Sequence, residues 1–195
     1  MCGRYYVDDE TSREIEKIVR KLDQRLKIEH GQDIHPSESA VVLTKGCREV
    51  AARQMQWGFP GFQGKGLLIN ARAEGILDKK TFRESVLHRR CVIPARHFYE
   101  WSKNKEKYTF QSPKQDDTLF MAGCYQIYNG QNRFVILTTQ ANASVAPVHE
   151  RMPLLLERQE LEDWIMEDAA VEIILAKKPI PLNRTAEYEQ LKLFS

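Results

Sequence analysis

Short apolar segments with the patterning of β-strands recur between residues 41 and 156, and they restrict the chain to folds that are built on a sheet. Helical periodicity is confined to a segment that begins near Asp9, to residues 81–87 and to residues 160–176. Because several strands follow one another without intervening helices, antiparallel pairing is favoured. We therefore expect an α+β fold, in which a curved, largely antiparallel and barrel-like sheet carries peripheral helices.

Two turn signals separate these segments. Asn129-Gly130 favours a tight turn between antiparallel strands, and residues 57–66 contain four glycines and form the clearest loop. This loop leads into residues 67–74, which we interpret as a buried strand that ends in polar groups. Because no repeat and no linker-like composition divides the chain, we expect residues 1–195 to form a single domain.

The composition excludes several classes of protein. No apolar run is long enough to span a bilayer, and the first residues lack the pattern of a secretory signal. The cysteines lie too far apart for zinc-ligand spacing. We therefore expect a cytoplasmic, monomeric protein without metal or cofactor, associated with the nucleoid if it is bacterial. Three of the cysteines should be inert packing residues, namely Cys47, Cys91 and Cys124.

Cys2 offers the most informative chemistry in the chain. If Met1 is removed, Cys2 carries a free α-amine and a thiol, which titrate at about 7.7–8.0 and about 8.5 in unperturbed peptides. An amine condenses with an aldehyde to a Schiff base, and the adjacent thiolate can then close a five-membered thiazolidine ring. The nitrogen of an internal cysteine is an amide and cannot react in this way. The alternative is that Cys2 is simply a small residue that follows Met1.

Three further segments bring together polar groups that could assist such chemistry. Residues 70–74 end a strand with an amide, a guanidinium and a carboxylate. Residues 98–101 place Glu100 among aromatic side chains, a setting that raises the pKa of a carboxyl group. His149, which could transfer a proton, stands two residues before Arg151, which could bind phosphate. Taken alone, Glu100 could equally be a surface acid, and His149 a hydrogen-bonded loop histidine.

In this order, the segments resemble the SOS response-associated peptidase (SRAP) family. One such motif would be weak evidence, but the ordered set is highly specific and extends to about residue 156. The matching stretches in this chain are Met1-Cys2-Gly3-Arg4, Trp57-Gly58 with Pro60-Gly61, Asn70-Ala71-Arg72-Ala73-Glu74, Arg89-Arg90-Cys91-Val92-Ile93-Pro94, Phe98-Tyr99-Glu100-Trp101, Leu137-Thr138-Thr139 and His149-Glu150-Arg151-Met152-Pro153.

The resemblance implies a sensor of abasic sites in single-stranded DNA, which forms a covalent crosslink through Cys2 after autocatalytic removal of Met1. It implies that Asn70 holds the ring-opened sugar, that Glu100 lies beside the new amino terminus and that His149 assists ring opening. An abasic-site lyase activity is left open. The resemblance also implies contacts to DNA from six further residues, which are Arg4, Pro36, Phe62, Arg72, Thr138 and Arg151.

The chain departs from the family pattern at three places. Phe62-Gln63 stand where the family can have two aromatic residues, so one surface for base stacking is missing. Arg96-His97 replace a small turn, and His35 replaces a small residue before Pro36.

Two other functions fit parts of the sequence. Amidohydrolases with an amino-terminal nucleophile, such as glutaminases, also begin Met-Cys-Gly, but they have no need for this set of arginines. A non-covalent module for single-stranded or modified DNA would require no chemistry at Cys2. A conventional Cys–His protease is a third, weaker alternative. The net charge of +2 is too small to decide between these functions.

Overall fold

The computed structural model describes residues 2–19, 31–115 and 117–187, so Met1 lies outside the described residues. The predicted α+β class is confirmed. The helices are α1 (Asp9–Ile18), α2 (Lys80–His88), α3 (Glu160–Met166) and α4 (Val171–Leu175). The strands are β1 (Tyr5–Val7), β2 (Gln32–Ile34), β3 (Ser39–Lys45), β4 (Val50–Trp57), β5 (Phe59–Pro60), β6 (Leu67–Leu68), β7 (Asn70–Arg72), β8 (Arg90–Ala95), β9 (His97–Trp101), β10 (Lys107–Gln111), β11 (Leu119–Tyr128), β12 (Gln131–Gln140), β13 (Arg151–Pro153), β14 (Leu155–Leu156) and β15 (Asn183–Ala186).

Five strands close into a barrel at the centre of the fold. β4 pairs antiparallel with β3, β3 with β8, β8 with β11 and β11 with β12. A short parallel pairing between β12 and β4 then closes the ring. The barrel is therefore mixed, but four of its five pairings are antiparallel, so the expected largely antiparallel, barrel-like sheet is confirmed. β7 and β13 both pair with β12, and this places their residues on either side of one long strand.

A second sheet lies beside the barrel, with the strand order β15-β10-β9-β1-β2 and antiparallel pairing throughout. The side chains of β8 and β12 explain how the barrel wall is buried on both faces. In β8, Val92 belongs to one cluster of buried side chains, whereas Cys91 and Ile93 belong to the other. β12 shows the same alternation at Val135 and Ile136. Because successive side chains of a strand point to opposite faces, these strands have continuous apolar sequences.

Two expectations are wrong. Residues 67–74 do not form one buried strand, since Leu67 and Leu68 are each 38% exposed and pair with β5 in a separate hairpin. Cys91 and Cys124 are buried as expected, but Cys47 is exposed in the turn between β3 and β4. Within the described parts of the chain, no helix is long and apolar enough to cross a membrane.

Candidate active site around Cys2

Cys2 lies where the second sheet meets the barrel. β1 runs antiparallel to β9, with Tyr5 opposite Phe98, and the backbone N–H of Tyr99 donates to the carbonyl of Arg4 at 3.1 Å. This pairing draws the amino-terminal segment inward, so that Cys2 is fully buried. The Cys2 thiol donates to the same Arg4 carbonyl, with 3.7 Å between sulfur and oxygen.

Asn70 holds the backbone of Cys2. The parallel pairing of β7 with β12 places Asn70 opposite Ile136, and strand alternation directs Ala71 into the core. The side-chain amide of Asn70 donates to the carbonyl of Cys2 at 2.9 Å. Its buried Oδ1 has no hydrogen-bond partner among the described residues. This oxygen is therefore an acceptor that a ligand beside Cys2 can use.

Glu100 is 2% exposed because it shares the inward face of β9 with Phe98. Burial raises the pKa of its carboxyl group, and the nearby positive form of His149 opposes the shift. The predicted direction is thus correct, but strand alternation directs Tyr99 and Trp101 to the opposite face. The cause is burial in the interior, not contact with the two flanking rings.

Burial raises the pKa of the Cys2 thiol, and the negative charge of Glu100 raises it further. The protonated thiol is therefore favoured over the thiolate, because full burial disfavours the charged form. Chemistry at this sulfur needs a proton acceptor, and Glu100 is within electrostatic reach.

His149 ends a turn in which its backbone N–H donates to the carbonyl of Val145 at 3.0 Å. The backbone N–H of Arg151 donates to Nδ1 of His149, also at 3.0 Å. Nδ1 also lies 3.2 Å from the carbonyl oxygen of Arg151, so the backbone of Arg151 holds the ring in place through this nitrogen. His149 and Glu100 interact electrostatically. We call Cys2, Asn70, Glu100 and His149 together the Cys2 site.

We call the three predicted arginines, Arg4, Arg72 and Arg151, the basic rim. Their environments differ. Arg4 is paired with Asp33 at 3.5 Å and lies over the ring of Trp101, 5.4 Å from its centroid. Arg72 is exposed and has no ion-pair partner in the part of the chain that the structure describes.

Arg151 is held by Glu74, which sequence reasoning had not assigned. Two N–H groups of Arg151 donate to the two carboxylate oxygens of Glu74 at 2.9 and 2.7 Å. A third bond goes to the carbonyl of Thr138 at 2.6 Å. The bonds from Arg151 lower the pKa of Glu74 to about 2. The signal was present in the sequence, since Asn70, Arg72 and Glu74 alternate at the end of one strand.

The other three predicted DNA contacts lie in different settings. Thr138 is fully buried, and its hydroxyl donates to the carbonyl of Ala71 at 3.4 Å. Pro36 lies in a turn that the backbone N–H of Ser37 fastens to the carbonyl of Trp57 at 2.9 Å. Phe62 is 84% exposed at the tip of the β5–β6 hairpin and therefore does not cover the core. Among the described residues, no hydrogen bond connects Pro36 or Phe62 to the Cys2 site.

The described residues contain no group of three or more His, Cys, Asp or Glu side chains that could hold a metal ion. The Cys2 site offers a thiol, a carboxyl with raised pKa, an amide oxygen that can accept a hydrogen bond and a histidine ring held at Nδ1.

Comparisons with known proteins agree with this arrangement. A family model described as SOS response associated peptidase (SRAP) matches residues 1–190. The abasic site processing protein YoqW of Bacillus subtilis is 29% identical over 181 residues, covering 85% of this chain and 80% of the relative. The abasic site processing protein YedK of Escherichia coli is 23% identical over 198 residues, covering 94% and 89%. The crystal structure of a Bacteroides thetaiotaomicron protein, at 20% identity, superimposes with a TM-score of 0.80 over 98% of this chain and 94% of its own, and supports the fold.

Proposed function

The chain belongs to the SOS response associated peptidase family, and from this premise we propose that it captures abasic sites in single-stranded DNA covalently through Cys2. Its curated relatives are called abasic site processing proteins. The observation that carries the proposal is the hydrogen bond from Asn70 to the Cys2 carbonyl, which fixes Cys2 near the buried carboxyl of Glu100. A buried cysteine with a purely structural role would need neither the hydrogen bond from Asn70 nor the nearby carboxyl of Glu100.

The first step is the hydrolysis of the Met1–Cys2 peptide bond, which consumes one water and releases methionine. It leaves an α-amine and a thiol on Cys2. We assign to Glu100 the transfer of protons during this step, because its carboxyl is buried near Cys2 and burial raises its pKa, so it accepts a proton more readily than an exposed carboxylate. Self-processing would then explain the peptidase in the family description.

The second step is capture of the sugar. An abasic sugar is mostly a closed hemiacetal, so a proton must move between its oxygens before an aldehyde exists. We assign this transfer to His149, whose ring is held at Nδ1 by the backbone of Arg151 and can exchange a proton through Nε2. The Cys2 amine then condenses with the aldehyde and releases one water. The thiol adds across the resulting C=N bond, its sulfur binding carbon and its proton passing to nitrogen, and the thiazolidine closes.

Positioning of the DNA is assigned to Asn70 and to the basic rim. The Oδ1 atom of Asn70 would accept a hydrogen bond from a sugar hydroxyl. Arg72 is the best placed of the three arginines to bind phosphate, because it is exposed and carries no ion pair within the described ranges. Phe62 would stack on a base and Pro36 would line the same path, whereas the buried Thr138 would act indirectly, by holding Arg151 through its carbonyl.

The test is incubation with a single-stranded oligonucleotide that carries one abasic site, followed by a denaturing gel. Wild-type protein should form a species that survives denaturation, and the undamaged oligonucleotide should form none. Cys2→Ser should abolish this species, because an alcohol does not close the ring as a thiol does. Cys47→Ser is the matched control, since Cys47 is the exposed thiol, and it should leave the yield unchanged.

Two outcomes would contradict the proposal in favour of a different function. Retention of DNA on a native gel, with no adduct after denaturation, would indicate a non-covalent binding module. Release of ammonia from glutamine without any adduct would indicate an amidohydrolase.

A further inference from the structure

The segment that carries His149 is closed at its base by one residue pair. Gln140 lies opposite Arg151 at the end of the β12–β13 ladder. The next backbone bond, from the N–H of Ala141 to the carbonyl of Glu150 at 3.0 Å, closes the segment. The position of His149 therefore depends on how firmly this closing pair, Gln140 and Arg151, is held.

Glu74 binds both members of the closing pair. Its carboxylate accepts two bonds from the Arg151 guanidinium and one from the backbone N–H of Gln140 at 3.2 Å. It also accepts a bond from the Thr139 hydroxyl at 3.3 Å. Glu74 follows β7, on the other side of β12 from β13. One carboxylate thus connects three neighbouring strands at the base of the His149 segment.

The same carboxylate changes the charge of the surface on which Arg72 lies. A depression there is lined by three basic and two acidic side chains, together with Gln140. Because Glu74 is bonded directly to Arg151, the positive charge of that arginine is largely cancelled. The charged lining residues are Arg72, Glu74, Lys79, Glu150 and Arg151.

We propose that Glu74 is a positioning residue for the capture reaction: it holds the closing pair that sets His149, and in doing so it partly neutralises the charge that Arg151 offers to a phosphate. The inference rests on the proposed function. Loss of the Glu74 charge should therefore have two opposing effects. It should strengthen the attraction for DNA, and it should weaken the alignment of His149. A residue with a merely structural role would not separate binding from reaction in this way.

The test is Glu74→Gln, which keeps the shape and one acceptor oxygen but loses the charge. Binding to undamaged single-stranded DNA should tighten by roughly 2- to 5-fold, in the range of a single exposed charge. The single-turnover capture rate at saturating abasic DNA should fall by about 10-fold or more, as expected for a displaced proton-transfer group. With a small free aldehyde, which needs no ring opening, most of this defect should vanish.

The matched control is Glu150→Gln, which removes a negative charge from the same depression. Because the Glu150 side chain forms no hydrogen bond with the closing pair within the described ranges, DNA binding should tighten similarly while the capture rate stays at the wild-type value. Arg151→Lys is the second variant, and it should slow capture without tightening binding. It keeps the positive charge but loses the two-point contact with Glu74.

Three results would overturn the inference. The first is capture by Glu74→Gln at the wild-type rate. The second is an equal defect of Glu74→Gln on abasic DNA and on the small aldehyde. The third is a capture defect in Glu150→Gln as large as that in Glu74→Gln. If Glu74→Gln does not fold, wild-type capture by Arg151→Lys overturns it. Failure of the proposed function is distinguishable, because wild-type protein would then form no adduct at all.

Discussion

The Cys2 site and the basic rim use their polar groups in opposite ways. In the Cys2 site, burial raises the pKa values of both the Cys2 thiol and the Glu100 carboxyl, so proton transfer governs what these groups can do. In the basic rim, Arg72 is exposed and its charge acts through solvent. Burial changes the protonation state that the groups of the Cys2 site hold, whereas exposed charges give attraction that salt can screen. Reaction and binding should therefore respond to different substitutions.

The largest effect that separates the two regions is expected at His149. His149→Ala should slow capture of abasic DNA by roughly 10²-fold, the low end of general acid–base effects, because ring opening loses its proton donor. Most of the loss should vanish with a small aldehyde, whereas Glu100→Gln should impair both reactions. Single-turnover rates with the two substrates measure this division. Equal defects of His149→Ala on both substrates would remove the ring-opening role.

A smaller effect, confined to binding, is expected at Arg72. Replacing Arg72 with Gln should make the slope of log affinity against log salt shallower by about 0.7, the value for one phosphate contact on a single strand. The capture rate at saturating DNA should hardly change. Fluorescence anisotropy with undamaged DNA at several salt concentrations gives the slope. Arg158→Gln is the matched control, because Arg158 is exposed but paired with Glu14 at 3.0 Å. An unchanged slope in Arg72→Gln would refute the phosphate contact.

The smallest effect is expected at His97, and it tests whether burial also shifts the pKa of a group outside the Cys2 site. Burial lowers the pKa of His97 to about 4, although Asp33 and Asp8 oppose the shift. Between about pH 6.5 and 4 the unfolded chain binds a proton that the folded chain does not, so stability should fall as pH falls through this window. We expect the free energy of unfolding to fall by about 1 kcal/mol, which is less than the full pKa shift would give because the ring is partly exposed.

Replacing His97 with Gln should flatten this part of the stability curve, which urea unfolding at several pH values would measure. His88→Gln on the surface of α2 is the control and should keep the wild-type curve. A wild-type pH dependence in His97→Gln would mean that the change arises from other groups.

Much of this architecture could be predicted because alternation and ordered motifs are local in the sequence. The α+β class and most of the strands follow from apolar patterning and turn signals. Family membership, expected from the ordered motifs, is confirmed by the match over residues 1–190. That residues 1–195 form one domain stays a prediction, as do the roles of the site residues.

What could not be predicted depends on contacts between distant residues. Glu74 and Arg151 are 77 positions apart, and only the pairing of β7 and β13 with β12 brings them together. The raised pKa of the Cys2 thiol likewise results from burial against residues that are remote in the chain. Leu67 and Leu68 have the composition of a buried strand, but their pairing with β5 leaves them partly exposed. Sequence patterns carry no information on such pairings.

Covalent capture through Cys2 can be tested by the intact mass of the protein before and after reaction with abasic single-stranded DNA. We expect a free protein that lacks one methionine, and an adduct equal to that protein plus the DNA minus one water. Digestion of the adduct should place the link on the amino-terminal peptide that begins at Cys2. A protein that reacts fully while it retains Met1, or a link on Cys47, Cys91 or Cys124, would contradict the account.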